Sequence, residues 1–132
     1  MHNFDGTHGS LSFAPLLQHT NGRFYGTTGS GGPSNASCAD DGCGTVFSLS
    51  VGLGPFIETL PTSGKVAAKV KILGTDLTGA TAVTFSGTAA KFNALSKTLI
   101  EALVPTGATT GYVTVSGPGG TLQSNVKFLV RP

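Results

Sequence analysis

The side chains with the clearest potential for chemistry lie near the N-terminus. His2, Asp5, His8 and His19 fall within one short polar stretch. Imidazole nitrogens and carboxylate oxygens are ligands that divalent metals accept, and a metal with an open coordination position activates water. These residues define one hypothesis, a small metal-assisted hydrolase whose cleft an oligomer could complete. The other interpretation is that they are exposed loop residues with no chemical role.

Two cysteines form a second candidate site. Cys38 and Cys43 enclose the sequence CADDGC and could form either a disulfide or half of a metal site. The C-x4-C spacing differs from the usual C-x2-C, and the sequence has no second cysteine pair, so structural zinc is not favoured. Asp40, Asp41 and Asn35 could bind calcium, but the D-x-[DN]-x-[DN]-G pattern is absent.

The common catalytic motifs are missing from the sequence. The glycine-rich GTTGSGG lacks the Lys-Ser/Thr that follows in a phosphate-binding loop, and no G-x-S-x-G occurs. Ser10 lies near His8 and Asp5 and has the composition of a catalytic triad without its supporting context. No catalytic residue is therefore assigned outside the metal hypothesis.

Composition and charge narrow the class of protein. Only 11% of the 132 residues are charged, against about 25% in average globular proteins, while Gly 20 and Pro 7 are high. Residues 1–54 carry one Arg and three Asp, whereas residues 55–132 carry seven basic and three acidic residues. These lysines alternate with apolar residues and no arginine cluster accompanies them, so we expect no nucleic-acid partner. No apolar run approaches the length of about 20 residues that a membrane span needs, the segment over 11–17 being too short, and the N-terminus lacks a signal-peptide pattern.

The second half of the sequence reads as a series of short strands. Turn signals such as GTDLTG and SGPGG separate segments in which apolar and polar residues alternate. KVAAKVKI predicts one strand from Lys65 to Ile72, and AVTF, TLIEALVP, YVTV and NVKFLV predict others. Strands at intervals of about ten residues are typical of an antiparallel sandwich. The sequence predicts an all-β fold.

Residues 55–132 also resemble a known family, the IPT/TIG domains. The resemblance rests on the opening P-x-I…P-x-S-G, then V-x-I-x-G-T-x-L, V-x-F-x-G-x-x-A, V-P-x-G and a final S-x-x-x-x-F. It implies an immunoglobulin-like β-sandwich that acts as a spacer, interaction or dimerisation module. In secreted bacterial proteins such domains often accompany carbohydrate-active or adhesive modules. The resemblance supplies no catalytic residues.

Residues 1–54 are predicted to form a separate unit, a single glycine-rich β-repeat. T-N-G-R-F predicts a hairpin at Asn21–Gly22, and GTVFSLSV alternates as a strand. F-D-G, P-x-x-L-x-x-x-x-x-G-x-F-Y-G-T-T and G-T-V-F are similar to the GloVer tandem repeats of bacterial surface proteins. That resemblance implies a β-meander or propeller-type unit of three or four short strands. It also implies a disulfide between Cys38 and Cys43, since such repeats often carry a Cys pair before G-T-V-F; a disulfide indicates an oxidising compartment.

A single repeat cannot bury its own apolar face, because stacking normally needs about three. We therefore expect the chain to be a C-terminal piece of a larger extracellular or cell-surface protein, or a truncated gene product. The lone unit is expected either to fold against the sandwich or to self-associate through its unpaired strands. The favoured function is a non-catalytic binding or spacer module that contacts proteins or glycans and needs no cofactor. Its candidate sugar-stacking residues are Phe24, Tyr25 and Tyr112. The alternatives are the hydrolase, with a divalent metal on His2, Asp5, His8 and His19, and a purely structural assembly subunit.

Overall fold

The computed structural model describes residues 4–38 and 40–132. Every regular element among them is a β-strand, which confirms the all-β prediction. The chain divides into two compact units, with the boundary between Leu53 and Gly54. No helix in the described ranges has the length and apolar character that crossing a membrane would require.

The N-terminal unit contains a three-stranded antiparallel meander. Its strands are β1 (Leu17–Gln18), β2 (Arg23–Thr28) and β3 (Thr45–Ser50), in the order β1-β2-β3. The hairpin predicted at Asn21–Gly22 joins β1 to β2, and Gly22 adopts a φ of 83°, which favours glycine. The Gly22 amide donates to the His19 carbonyl at 2.9 Å and closes this turn.

The C-terminal unit is an immunoglobulin-like β-sandwich, as predicted. One antiparallel sheet has the order β4-β6-β10-β9, the other has the order β12-β11-β7-β8, and β5 pairs in parallel with β13. The strands are β4 (Glu58–Leu60), β5 (Ser63–Lys65), β6 (Lys69–Leu73), β7 (Ala82–Phe85), β8 (Thr88–Ala89), β9 (Phe92–Ser96), β10 (Leu99–Leu103), β11 (Val113–Gly117), β12 (Gly120–Gln123) and β13 (Leu129–Arg131).

Alternating apolar side chains from both sheets form the core of the sandwich. One sheet contributes Val70 and Ile72 from β6 and Ile100 and Ala102 from β10. The facing sheet contributes side chains that the sequence also placed on one side of each strand, namely Val83, Phe85, Val113 and Val115. The rings of Phe85 and Phe128 meet edge to face with centroids 5.1 Å apart.

The single strand predicted over KVAAKVKI is wrong. The chain turns at Val66 and Ala67, where Ala67 has a φ of 67°, and Val66 lies exposed. The physical reason is a change of partner: β5 pairs with β13, whereas β6 pairs with β4 and β10. NVKFLV is likewise only in part a strand, because Val126 is exposed and regular pairing is confined to β13.

Candidate interaction surface

The structure brings Asp5 and His8 together in a tight loop. Asp5 Oδ1 accepts hydrogen bonds from Thr7 Oγ1 at 2.6 Å and from the His8 backbone N–H at 3.1 Å, and it lies 2.9 Å from His8 Nδ1. The Thr7 hydroxyl, followed by the His8 side chain and amide, holds the pKa of the Asp5 carboxyl well below its usual range. Both side chains are largely exposed, so this cluster closes a surface loop.

His19 lies elsewhere, in the hairpin turn beyond β1. Its Nδ1 accepts from the Asn21 amide at 3.2 Å, and its ring meets the Tyr25 ring edge to face at 5.9 Å. His2 lies outside the described residues. Over 4–38 and 40–132, no group of three or more His, Cys, Asp or Glu side chains is placed to hold a metal ion. Ser10 Oγ lies 2.9 Å from Ser30 Oγ, and the Ser30 hydroxyl also donates to the Ser10 carbonyl. The hydrogen bonds of Ser10 are therefore to Ser30.

Cys38 and Cys43 form a disulfide, with their Cα atoms 5.3 Å apart. The loop that they close is tied to the segment that follows β2: the Cys43 amide donates to the Pro33 carbonyl, and the Gly44 amide donates to the Gly31 carbonyl at 2.9 Å. The disulfide loop therefore leads directly into β3.

The predicted calcium ligands lie in two places. Asp40 and Asp41 line a polar cavity of about 350 Å³ together with the backbone of Gly31 and Gly42. Asn35 instead accepts a hydrogen bond from the Ser37 amide at 2.8 Å and so closes its own turn.

Glycines allow the backbone to cross closely at the start of β3. Gly44 has a φ of 79°, and a Cβ at that position would collide with the Thr28 carbonyl oxygen. Beside it, the Thr45 amide donates to Thr28 Oγ1 at 2.9 Å, and Thr28 Oγ1 donates to the Ser30 carbonyl at 3.0 Å. The buried Thr28 hydroxyl thus fixes β3 against β2.

One face of the meander is apolar and partly covered. Phe47 and Leu49 point to this face, and the ring of Phe4 meets that of Phe47 edge to face at 5.1 Å. A cavity of about 500 Å³ remains between them and is lined by Phe4, Ser12, Leu16, Phe47, Leu49, Ser50 and Val51. The N-terminal unit therefore has an apolar groove beside its last strand.

The opposite face of the meander presents apolar side chains to solvent. Leu17 on β1 and Val46 on β3 are 67% and 79% exposed. Tyr25 lies on the same face, with Leu17 as its register partner on one side and Ser48 on the other, while Val46 pairs with Thr27. Sequence reasoning missed this surface and also missed Phe13, which is 84% exposed. The signal available for Val46 was the uncharged run over 42–57.

The three predicted sugar-stacking residues do not form one platform. Phe24 and Tyr25 are adjacent in β2 and therefore point to opposite faces of the meander. The Tyr25 hydroxyl accepts from Asn21 Nδ2 at 3.1 Å, which holds its ring in place. Tyr112 belongs to the sandwich, where it is 40% exposed and Lys127 Nζ lies 5.7 Å from its ring centroid.

Two antiparallel sheets around one apolar core place the C-terminal unit in the class of immunoglobulin-like sandwich domains. The sequence model of the IPT/TIG domain family matches residues 55–130. The chain therefore belongs to the IPT/TIG domain family. The family match covers the sandwich, and the repeat resemblance of residues 1–54 stays a prediction.

The other comparisons give a partial likeness to a solved structure. No curated protein matches the chain. A crystal structure of an auxiliary nutrient binding protein from Bacteroides ovatus ATCC 8483 is similar to it, with 22% sequence identity and a TM-score of 0.48. The likeness covers 56% of this chain and 20% of that chain, so the present chain spans a small part of that protein's length.

Proposed function

We propose that this protein is a non-catalytic binding and spacer module of the extracellular space or the cell surface. The observation that carries the proposal is the N-terminal meander, which leaves apolar and aromatic side chains exposed and the outer edges of β1 and β3 without a strand partner among the described residues. The sandwich buries its own core and acts as the folded support for this unit.

An oxidising compartment fits the covalent chemistry of the chain. Disulfides persist in exported proteins and are rare in the cytosol, where thiols are kept reduced. The Cys38–Cys43 disulfide lies in the unit that we assign to binding and leads into β3. It therefore supports an extracellular or surface location for that unit.

Proteins, glycans and a second copy of the chain are the contacts that we assign to the meander. Tyr25 offers an aromatic face of the kind that stacks on sugars, and the neighbouring Leu17 and Val46 offer apolar area for protein contacts. Asp5 and His8 interact with one another, while His19 lies in the hairpin turn. These contacts do not support the alternative function, a metal-assisted hydrolase.

Affinity electrophoresis in gels that contain soluble polysaccharides tests the glycan part of the proposal. We expect retardation of the full chain by at least one polysaccharide, loss of retardation in Tyr25→Ala, and little change in the matched variant Tyr112→Ala. The same preparations are sedimented over the micromolar range to detect self-association. A chain that no polysaccharide retards and that stays monomeric throughout would contradict the proposed function.

A further inference from the structure

The outer edge of β3 carries backbone groups that point away from the meander. The His19 amide donates to the Arg23 carbonyl at 2.9 Å, so Arg23 directs its backbone groups toward β1. Because backbone direction alternates along an antiparallel strand, Phe24 and Gly26 direct theirs toward β3, where they pair with Leu49 and Phe47. The N–H and C=O groups that point outward from β3 are therefore those of Val46, Ser48 and Ser50.

No strand covers this edge in the part of the chain that the structure describes. The meander ends at β3, which pairs with β2 alone. Its register with β2 runs without a bulge from Thr45 to Ser50. The residues over 42–57 include no charged side chain, and the first proline after β3 is Pro55. Charges, prolines and bulges are the usual devices that prevent edge pairing, and the residues of β3 supply none of them. The charge nearest to Ser48 is on β2, where Arg23 Nη2 donates to Ser48 Oγ at 3.2 Å.

We propose that β3 pairs antiparallel with β3 of a second copy, about a two-fold axis at Ser48. This inference rests on the self-association that forms part of the proposed function, and it names the partner and the register. Ser48 then faces Ser48 of the second copy, and Val46 faces Ser50, so every outward backbone group of these residues gains a partner.

Side-chain chemistry favours this register and a second copy as the occupant. With the axis at Ser48, Phe47 of one chain lies opposite Leu49 of the other, on the face that holds the apolar groove. The two grooves then join into one apolar strip. A two-fold axis at Phe47 would instead place Ser50 of one chain opposite Gly44 of the other. The Gly44 amide already donates to the Gly31 carbonyl of its own chain, so this register would leave the Ser50 carbonyl without a donor.

Single cysteine substitutions in the full chain test the register. Cys38 and Cys43 are bonded to one another, so an introduced cysteine is the free thiol under mild oxidation. Facing residues of a hydrogen-bonded antiparallel pair have Cα atoms about 5.5 Å apart, within the reach of a disulfide. Ser48→Cys should therefore give a disulfide-linked dimer on non-reducing gels.

Ser50→Cys provides the matched control. Two copies of Ser50 would be offset by four residues, or about 13 Å along the strands, which is beyond the reach of a disulfide. Ser50→Cys alone should stay monomeric on the gel, whereas a mixture of Val46→Cys and Ser50→Cys chains should give the crossed dimer. All these side chains are exposed, and unchanged circular dichroism verifies that each variant is folded.

The outcomes separate this inference from the proposed function. Efficient cross-linking of Ser48→Cys and of the mixture, without that of Ser50→Cys, supports the β3 pairing. If sedimentation shows a dimer but the cysteine variants cross-link equally at all positions, or at none, the β3 pairing is overturned. Self-association of the chain would then still be supported. A monomer at every concentration overturns the pairing, and retardation by a polysaccharide would then still support the binding function.

Discussion

At the scale of single residues, the buried hydroxyl of Thr59 is the exception in the sandwich core. The side chain is 2% exposed, and Thr59 Oγ1 has no hydrogen-bond partner among the described residues. A buried polar atom without a partner costs about 1–3 kcal/mol. Valine has the same shape as threonine, with a methyl group in place of the hydroxyl. We expect Thr59→Val to raise the free energy of unfolding by about 1 kcal/mol in chemical denaturation.

Thr84→Val is the matched control for this prediction. The Thr84 and Thr114 hydroxyls lie 2.7 Å apart and share a hydrogen bond, so removal of one should destabilise the sandwich. An unchanged or lower midpoint for Thr59→Val would show that its hydroxyl is satisfied in solution.

The Asp5 carboxyl provides a prediction of pH dependence at the same scale. Its folded-state pKa is depressed, chiefly by the Thr7 hydroxyl, so its contribution to the loop is present above the unfolded pKa of about 3.9. That contribution is lost as pH falls through the lower folded value. Carbon-detected NMR titration of the carboxyl should show Asp5 ionised at a pH where an unperturbed aspartate is protonated.

Thr7→Ala should raise the pKa of Asp5 toward the usual range, because it removes the shortest hydrogen bond to the carboxylate. His8→Ala should produce a smaller rise in the same direction. A normal titration of Asp5 in the unsubstituted protein would mean that the loop is not closed as described.

At the scale of elements, the junction between the disulfide loop and β3 depends on Gly44. Ala at this position suffers both the strain of a positive φ, about 1–2 kcal/mol, and a collision with the Thr28 carbonyl oxygen. Gly52 has a similar φ of 81° but open space around it. We expect Gly44→Ala to accelerate amide exchange in β2 and β3 strongly, and Gly52→Ala, which carries the φ strain without the collision, to accelerate it much less. Equal effects of the two substitutions would contradict the close crossing.

The strands show where sequence patterns are sufficient and where they are not. Alternation predicts one shared side for Val83 and Phe85 in β7, and the structure buries both, because β7 stays in one sheet along its whole length. It could not reveal the turn at Ala67, since alternation continues through a point where the chain changes sheets. Strand partners depend on contacts that are distant in sequence.

The candidate site was predictable only in part, for a related reason. The disulfide followed from the resemblance to a repeat, and the hairpin followed from Asn21–Gly22. The separation of His19 from Asp5, and the opposite directions of Phe24 and Tyr25, depend on how the meander pairs. The open edge of β3 likewise becomes visible only when the sheet order is known.

At the scale of the whole molecule, the disulfide and the sandwich core belong to different units. Replacement of Cys38 and Cys43 by serine releases the short loop and should cost the N-terminal unit about 2 kcal/mol. The core residues of the sandwich all lie over 57–128, so β10 amides serve as the internal reference in hydrogen exchange. We expect faster exchange in β3 and little change in β10. The reverse pattern would contradict the assignment of the disulfide to the meander.

The central claim is that the N-terminal meander makes contacts through the open edge of β3. Sedimentation velocity of the full chain over the micromolar range, beside Val46→Lys and the control Leu17→Lys, tests it most directly. Lysine on an edge strand opposes pairing, and Val46 and Leu17 share the same exposed face but lie on opposite edge strands, Val46 on β3 and Leu17 on β1. We expect a concentration-dependent dimer for the unsubstituted chain and for Leu17→Lys, and a monomer for Val46→Lys. A monomeric unsubstituted chain, or a dimer that Val46→Lys leaves intact, would contradict it.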